Sequence, residues 1–439
     1  MAIGGGTFTA QNKVIPGSYI NFVSASNVIT IGSRGIAALP LPLNWGAEGK
    51  VISMDAGDFN RNAQAVFGYD PTAPELLLVR EAFKRAKTLL VYRVNGSGVK
   101  AKGTIGGLTV TAKYSGTRGN DLKVAVLTNP DGGFDVVTYL GGAVVDTQTV
   151  TEAAELVAND YVTFAGSTLS AAAAAALTGG TNGEATGATY TAALTALEVE
   201  QFNVIGCVST ETSIKALFVA YAKRLREDEG KKIVAVLANQ TGADYEGIIS
   251  VKNGVVLEDG TVVSAEQAVA WVTGASAAAE ENQSLTNTVY EGAVDVTEKY
   301  TKTQYETAIK AGEFVFYGEG GKARVLADIN TLTTFAAPKN ADWTSNRLIR
   351  AMDGWATDVA VIFNTMYLGM ETNNDTGRQL FKADLVSLAK QKEKIGTISN
   401  FDSSDIEIVQ GNGKRDVAAS CALQFNDSME KLYMTITVQ

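Results

Sequence analysis

Three glycine-rich segments of this chain invite comparison with phosphate-binding loops. A phosphate loop needs GxxxxGK followed by Ser or Thr, so that backbone amides and one lysine can cradle the phosphates. Gly411-Asn-Gly-Lys-Arg415 offers Gly-Lys, but Arg415 follows the lysine and Ile408 stands five places before Gly413. It reads as a hairpin turn. Gly318-Glu-Gly-Gly-Lys322 holds an acid that would repel phosphate, and it also reads as a turn between strands. The segment 103–107 leads into strands, not into a helix, so it lacks the amide end of a helix that attracts anions. The acidic runs Glu227-Asp-Glu229 and Glu280-Glu281 fall at helix ends and are expected on solvated surface. Asn373-Asn-Asp375 lacks the calcium-loop pattern and suits a capping turn. The chain contains no histidine, which removes His-containing metal sites and every Ser-His or Cys-His nucleophilic pair. Cys207 and Cys421 lie in apolar or small-residue surroundings and are expected as buried free thiols. These residues supply no catalytic set, no metal site and no cofactor site. An enzyme is not expected.

One basic cluster remains. The helix expected over 376–395 carries Lys382, Lys390, Lys392 and Lys394, with Lys390 and Lys394 on one face at i,i+4. Two readings stand: a solvated face favoured by the helix dipole, or a docking surface for an acidic partner. The chain carries a net charge of −10, so a local basic stripe departs from its background.

The whole chain bounds these readings. Its 439 residues are enough for several domains. Hydrophobic residues make up 46% and charged residues 19%, below the roughly 25% usual for soluble domains. Part of the surface is therefore expected to be covered. An acidic chain without basic blocks is a poor candidate for nucleic-acid binding. No apolar run approaches the length of a membrane span, and the N-terminus lacks a signal-peptide pattern. Manufacture in the cytosol is expected.

The hydrophobic pattern divides the chain. Residues 1–25 read as an arm, with a strand over Tyr19, Ile20, Asn21, Phe22 and Val23 entered through Pro16-Gly17. An α/β pattern follows over 26–98: strands at 28–31, extended over 35–39, and at 89–94; a helix over 59–67 capped by Asp58; and a helix over 74–87 with proline at its start. Residues 99–183 hold short strands at 108–114, 122–127, 134–140, 143–149 and 161–164, an all-β module inserted in the α/β region. The alanine run 171–176 reads as a short helix. The α/β pattern resumes over 184–345, with helices at 190–197, 210–229 and 265–279. Strands alternate with them at 203–207, 231–237 and 248–251, and a hairpin is expected over 314–325. Residues 346–439 read as α+β. Two long helices, 346–367 and 376–395, carry apolar stripes at helical spacing. Strands follow at 406–409 and 417–425. In the last, Leu432, Met434, Ile436 and Val438 alternate with Tyr433, Thr435 and Thr437. A strand at each end of the chain needs a sheet, at home or in a neighbour.

An ordered series of blocks carries a family resemblance. Pro16-Gly-Ser-Tyr-Ile-Asn-Phe22, Ser33-Arg-Gly-Ile-Ala37, Val91-Tyr-Arg-Val94 and Ser115-Gly-Thr-Arg-Gly-Asn-Asp121 open it. Gly179-Gly-Thr-Asn-Gly183, Phe202-Asn-Val-Ile-Gly206, Asp328-Ile-Asn-Thr-Leu332 and Asn346-Arg-Leu-Ile-Arg350 continue it. Tyr367, Asn374, Gly377-Arg378, Phe401 and Met429-Glu-Lys-Leu-Tyr-Met434 complete it. The chain resembles the tail sheath proteins of contractile-tailed phages, prophages and phage-tail-like bacteriocins of Gram-positive bacteria. The resemblance implies a subtilisin-like α/β core, an inserted β-sandwich, and a C-terminal α+β domain with exchanged terminal strands. It implies a homo-polymer around a tail tube, contracting to drive the tube through a cell envelope. Baseplate and tail terminator proteins would be further partners, with no nucleic acid and no membrane insertion. The particle would be a virion or tail-like particle assembled in the bacterial host cytoplasm. Residues 19–23 and 432–438 become the expected sheath–sheath arms, and Lys382, Lys390, Lys392 and Lys394 the expected tube-facing set. The alternatives are a type VI-like secretion sheath component, or an α/β hydrolase or nucleotide-binding enzyme.

Overall fold

The computed structural model describes Gly5–Gly6, Ser18–Tyr19 and residues 34–438. Gly5–Gly6 pairs in parallel with Ser18–Tyr19. Ile20, Asn21, Phe22 and Val23, and the strand expected at 28–31, lie outside the described residues.

The centre is a seven-stranded sheet. Its order is Glu313–Phe314, Ile248–Val251, Val234–Ala238, Val204–Cys207, Ile36–Leu41, Thr88–Arg93, Val51–Asp55. All neighbours are parallel except the last pair. The inner strands are mostly apolar, with Ser250 and Arg93 among the exceptions, because helices cover both faces of such a sheet. Helices α1 (Ala56–Phe67), α2 (Leu77–Phe83), α3 (Gly187–Glu198), α4 (Thr212–Glu227) and α5 (Ala265–Ala278) supply the cover. One core cluster joins Leu39, Val91 and Val236 to Phe67 of α1, Val79 of α2 and Trp271 of α5. The other joins Ile205 and Leu237 to Tyr190 of α3 and Phe218 of α4. The result is a three-layer helix–sheet–helix unit, with α6 (Lys302–Lys310) beside the Glu313–Phe314 edge. Helix α1 starts three residues earlier than expected. Asp55, not Asp58, is its N-cap and accepts from the Asp58 amide at 2.7 Å. An aspartate at either place suits a first turn, so type alone does not choose between them.

Between Thr88–Arg93 and α3 the chain builds a β-sandwich. One sheet has the order Ala143–Val150, Phe134–Leu140, Leu122–Thr128, Ala172–Ala176; the other has Val162–Ala165, Leu108–Ala112, Lys102–Ile105. Val110, Val124, Val136 and Val162 fill the space between them. Gly141 and Gly142, with φ of 59° and 95°, make the two-residue hairpin turn that requires positive φ at both positions. The alanine run is a strand, not the expected helix. Residues 172–176 pair antiparallel with Leu122–Thr128, and the open edge of that sheet overrides the helix preference of alanine.

The C-terminal region contains α7 (Asn346–Ile362), which widens into a π-helical turn over Phe363–Tyr367, and α8 (Asp375–Lys394), capped by Asn374. Phe381, Leu385 and Leu388 of α8 pack with Ile362, Ile406 and Ile408. The strand expected at 417–425 divides in two: Val417–Cys421 pairs with Ile406–Gln410, and Gln424–Phe425 pairs with Ile398–Ser399. The fold is a mixed α/β multidomain architecture with a β-sandwich domain.

Candidate functional site

The glycine-rich segments are turns. Gly411–Arg415 closes the Ile406–Gln410/Val417–Cys421 hairpin, with the Gly413 amide donating to Asp416 Oδ2 at 2.9 Å. Gly320 and Gly321 (φ 59° and 71°) turn the Phe316–Glu319/Lys322–Val325 hairpin. Gly106 and Gly107 turn another. Among the described residues no group of three or more potential ligands is placed to hold a metal ion, and no helix is long and apolar enough to cross a membrane. Cys207 is buried, where desolvation pushes its thiol up to about 12. Cys421 is exposed, contrary to expectation. It ends a strand that no further strand covers among the described residues.

On the surface of the chain the last segment stands out. After Gln424–Phe425 the chain is held at three points. The Asn426 amide donates to Thr397 O at 2.9 Å. Ser345 Oγ donates to Asp427 Oδ1 at 3.1 Å, and Thr286 Oγ1 donates to Glu430 Oε1 at 2.7 Å. Beyond this anchor the segment 432–438 joins no ladder among the described residues. Leu432 is 85% exposed, Met434 69%, Ile436 73% and Val438 90%. Tyr433, Thr435 and Thr437 are exposed as well. The sequence leaves open whether 432–438 pairs at home or in a neighbour, and among the described residues it pairs with no strand. The Val417–Cys421 strand accordingly pairs on one side only among the described residues.

The basic helix needs a second correction. Lys390 and Lys394 are exposed and Lys382 is half-buried. Asp402 is held below the usual carboxylate range, first by the Ser404 hydroxyl and amide and then by Lys382 and Lys390. Lys392 is 1% exposed, on the opposite side of α8, and faces Glu281 and Asp358 at 2.5 Å each. It cannot face a tube. The i,i+4 spacing of Lys390 and Lys394 leaves Lys392 on the far side. Glu281, expected on solvated surface, is its buried partner, and desolvation raises its carboxyl while Lys392 opposes that rise. Two more buried pairs join distant parts of the chain. Arg226 of α4 grips Asp353 of α7 in bidentate fashion at 2.7 and 2.9 Å, and Arg350 of α7 meets Asp328 at 2.6 Å.

Four family models match the chain in order. They are the tail sheath protein Gp18 domain III N-terminal region (34–94), the phage tail sheath protein beta-sandwich domain (96–182), the phage tail sheath protein central domain (183–331) and the phage tail sheath C-terminal domain (338–439). The phage-like element PBSX protein XkdK of Bacillus subtilis is 38% identical, with 99% of each chain covered. The chain belongs to the phage tail sheath protein family. A crystal structure of the sheath tail protein from Desulfitobacterium hafniense superposes with a TM-score of 0.87 at 45% identity, over 94% of this chain and 98% of that one. The contracted helical sheath of the anti-feeding prophage shares the fold at 11% identity (TM-score 0.57, 96% and 99% covered). This sheath protein is a structural subunit of a contractile tail sheath, and so a component of a phage or prophage particle.

Proposed function

We propose that this sheath protein polymerises around an inner tail tube and that its two ends tether neighbouring subunits while the sheath contracts. The observation that carries this reading is the segment 432–438, an alternating apolar strand sequence left exposed and without a ladder among the described residues. Unpaired strand backbone beside an apolar face is a template for joining another sheet. Such β-augmentation draws affinity from main-chain bonds and register from alternate side chains. Four to six ladder bonds at a net ~0.5–1.5 kcal/mol each make a modest link. Repetition over every subunit makes a mesh through multivalency. Tyr19, Ile20, Asn21, Phe22 and Val23 form the second arm in this reading, on the strength of the family resemblance.

The division into an arm (1–25), a split subtilisin-like core (26–98 and 184–345), a sandwich (99–183) and a C-terminal domain (346–439) belongs to the same proposal. So do assembly in the host cytoplasm, contact with tube, baseplate and terminator proteins, and the absence of any role for nucleic acid, cofactor or catalysis. Contraction would draw on new lateral contact: roughly 300 Å² of apolar surface gained per subunit gives up to about 7.5 kcal/mol, summed along the sheath.

Electron microscopy of protein lacking 432–439 tests the reading. Full-length protein should form wide striated tubes, and the truncated protein should stay a folded monomer. Normal tubes from the truncated protein would reject the tether.

A further inference from the structure

Asparagine followed by glycine is the pair most prone to spontaneous deamidation, because glycine has no side chain to shield its amide from the asparagine carboxamide. The chain holds four such pairs: Asn95-Gly96, Asn182-Gly183, Asn253-Gly254 and Asn412-Gly413. The fold locks three of them. Asn253 is 2% exposed, accepts from the Phe316 amide and donates to Phe316 O, both at 2.9 Å. The Gly254 amide donates to Thr297 Oγ1 at 3.0 Å. Asn95 is buried and accepts from the Leu43 amide at 2.8 Å. Asn182 accepts from the Thr117 amide at 3.1 Å and donates to Asn44 Oδ1 at 2.8 Å, while the Gly183 amide is taken by Asn95 O. A carboxamide fixed in this way cannot swing onto the next amide. Asn412 is different. It is exposed in the turn between Ile406–Gln410 and Val417–Cys421, and its side chain makes no hydrogen bond among the described residues. The Gly413 amide meets Asp416 Oδ2 at 2.9 Å, on an exposed side chain that water can replace.

We infer that Asn412 is a self-modification site, where the folded chain deamidates and ages. The Gly413 nitrogen attacks Asn412 Cγ and forms a C–N bond. The proton it loses passes through solvent to the departing amide, and ammonia leaves behind a five-membered succinimide. Water then opens either carbonyl of that ring, giving aspartate or isoaspartate. The net change is hydrolysis of a carboxamide to a carboxylate and ammonium, with water as the only co-reactant. Two effects follow in the turn. A negative charge appears beside Lys414 and Arg415. The isoaspartyl product also adds one main-chain carbon to a turn closed by the Gly411 amide on Asp416 O at 2.8 Å and the Asp416 amide on Gly413 O at 3.1 Å. That turn is braced from α8. Asn373 Nδ2 donates to Lys414 O at 3.1 Å and to Asp416 O at 2.9 Å, and Asn373 Oδ1 accepts from Arg378 at 2.9 Å. Asn374, the next residue, caps α8 through the Gly377 amide at 2.8 Å. Lengthening the turn displaces the two carbonyls that hold Asn373, so ageing at Asn412 loosens the start of α8.

The test keeps the full chain in mildly alkaline buffer. Isoaspartate is read by isoaspartyl methyltransferase labelling, and deamidation by a mass gain of about 1 Da in tryptic peptides. Asn412 should convert at least tenfold faster than Asn95, Asn182 and Asn253. In urea all four should convert at comparable rates, because the fold and not the dipeptide makes the difference. Conversion of any of the other three as fast as Asn412 in the folded chain overturns the inference, and so does an unchanged ranking in urea. Asn412→Gln and Gly413→Ala should each cut labelling at least tenfold. Gly413 has no positive φ, and a Cβ there would meet only the Asp416 carboxyl, from 2.9 Å, so circular dichroism should not change. Undiminished labelling in both variants assigns the site elsewhere. Hydrogen exchange reads the consequence: amides 374–378 should exchange faster in the aged protein, and not in Gly413→Ala aged beside it. Equal exchange in the two overturns the loosened brace.

Discussion

The ammonium of Lys392 lies 2.5 Å from Oε2 of Glu281, a residue 111 positions earlier in the chain. The same ammonium lies 2.5 Å from Asp358 Oδ2. With Arg226–Asp353 and Arg350–Asp328, these contacts tie α7 and α8 to the layers of the α/β region. All these charges are at least nine-tenths buried. Removing one partner of a buried pair leaves an uncompensated charge, which is far more damaging than losing a surface pair.

Lys392→Met should therefore lower stability by on the order of 3–5 kcal/mol in urea denaturation. Lys390→Met should stay within about 0.5 kcal/mol. The loss at Lys392 should be largest at neutral pH. Burial already raises the Glu281 carboxyl, and without Lys392 it rises further, so acid lets the carboxyl take a proton and the deficit shrinks. Equal stability of the two variants would contradict the buried pair.

Gly274 lies in α5, where alanine normally improves a helix by about 1 kcal/mol over glycine. Here a Cβ would stand 2.3 Å from the carbonyl oxygen of Ala82 in α2. Backbone of a packed helix cannot step aside, so Gly274→Ala should destabilise by roughly 1–3 kcal/mol. A melting temperature at or above that of the parent protein would refute this close crossing.

Asp244 accepts from the Thr333 amide at 2.7 Å and the Thr334 amide at 3.0 Å. The Thr333 amide leads the contacts that hold its carboxyl down to about 2. A depressed carboxyl adds stability above the unfolded value, about 3.9 for Asp, and that stability is lost as pH falls toward about 2. Asp244→Asn should be less stable than the parent at pH 7, on the order of 1 kcal/mol after solvent screening. The two should converge near the bottom of that window. Parallel pH–stability curves would count against the linkage.

Charge reversal of Lys382, Lys390 and Lys394 together tests the revised tube-facing set. Co-assembly with the tube protein should become weaker and more salt-sensitive, read by sedimentation of tubes at rising ionic strength. Unchanged co-sedimentation would assign these lysines to plain solvated surface.

Periodicity made most elements legible, because apolar spacing follows directly from which face is covered. The stripe Leu348, Met352, Trp355, Val359 and Phe363 marks α7, and its Trp355, Val359 and Phe363 pack with the apolar side of α8. Its other buried side escaped reading, because Arg350, Asp353 and Asp358 look like solvent residues until Arg226, Asp328 and Lys392 arrive from distant parts of the chain. Their helical spacing was the available signal. The alanine run 171–176 has the composition of a helix, but residues 172–176 form a strand because an open sheet edge, not alanine's own preference, sets their conformation. At 432–438 the alternation was legible, but alternation carries no information about which molecule owns the partner strand.

The sandwich leaves and rejoins the rest of the chain at one place, where the Gly183 amide donates to Asn95 O at 2.9 Å. Arg93, 2% exposed, braces that junction by donating to the carbonyls of Leu43 and Ser115, both at 2.9 Å. A cassette plugged in through adjacent ends can be exchanged or enlarged with little disturbance to its socket. Its hairpin tip at Asp131 and Gly132 is exposed, which makes it a natural position for genetic cargo on an engineered particle.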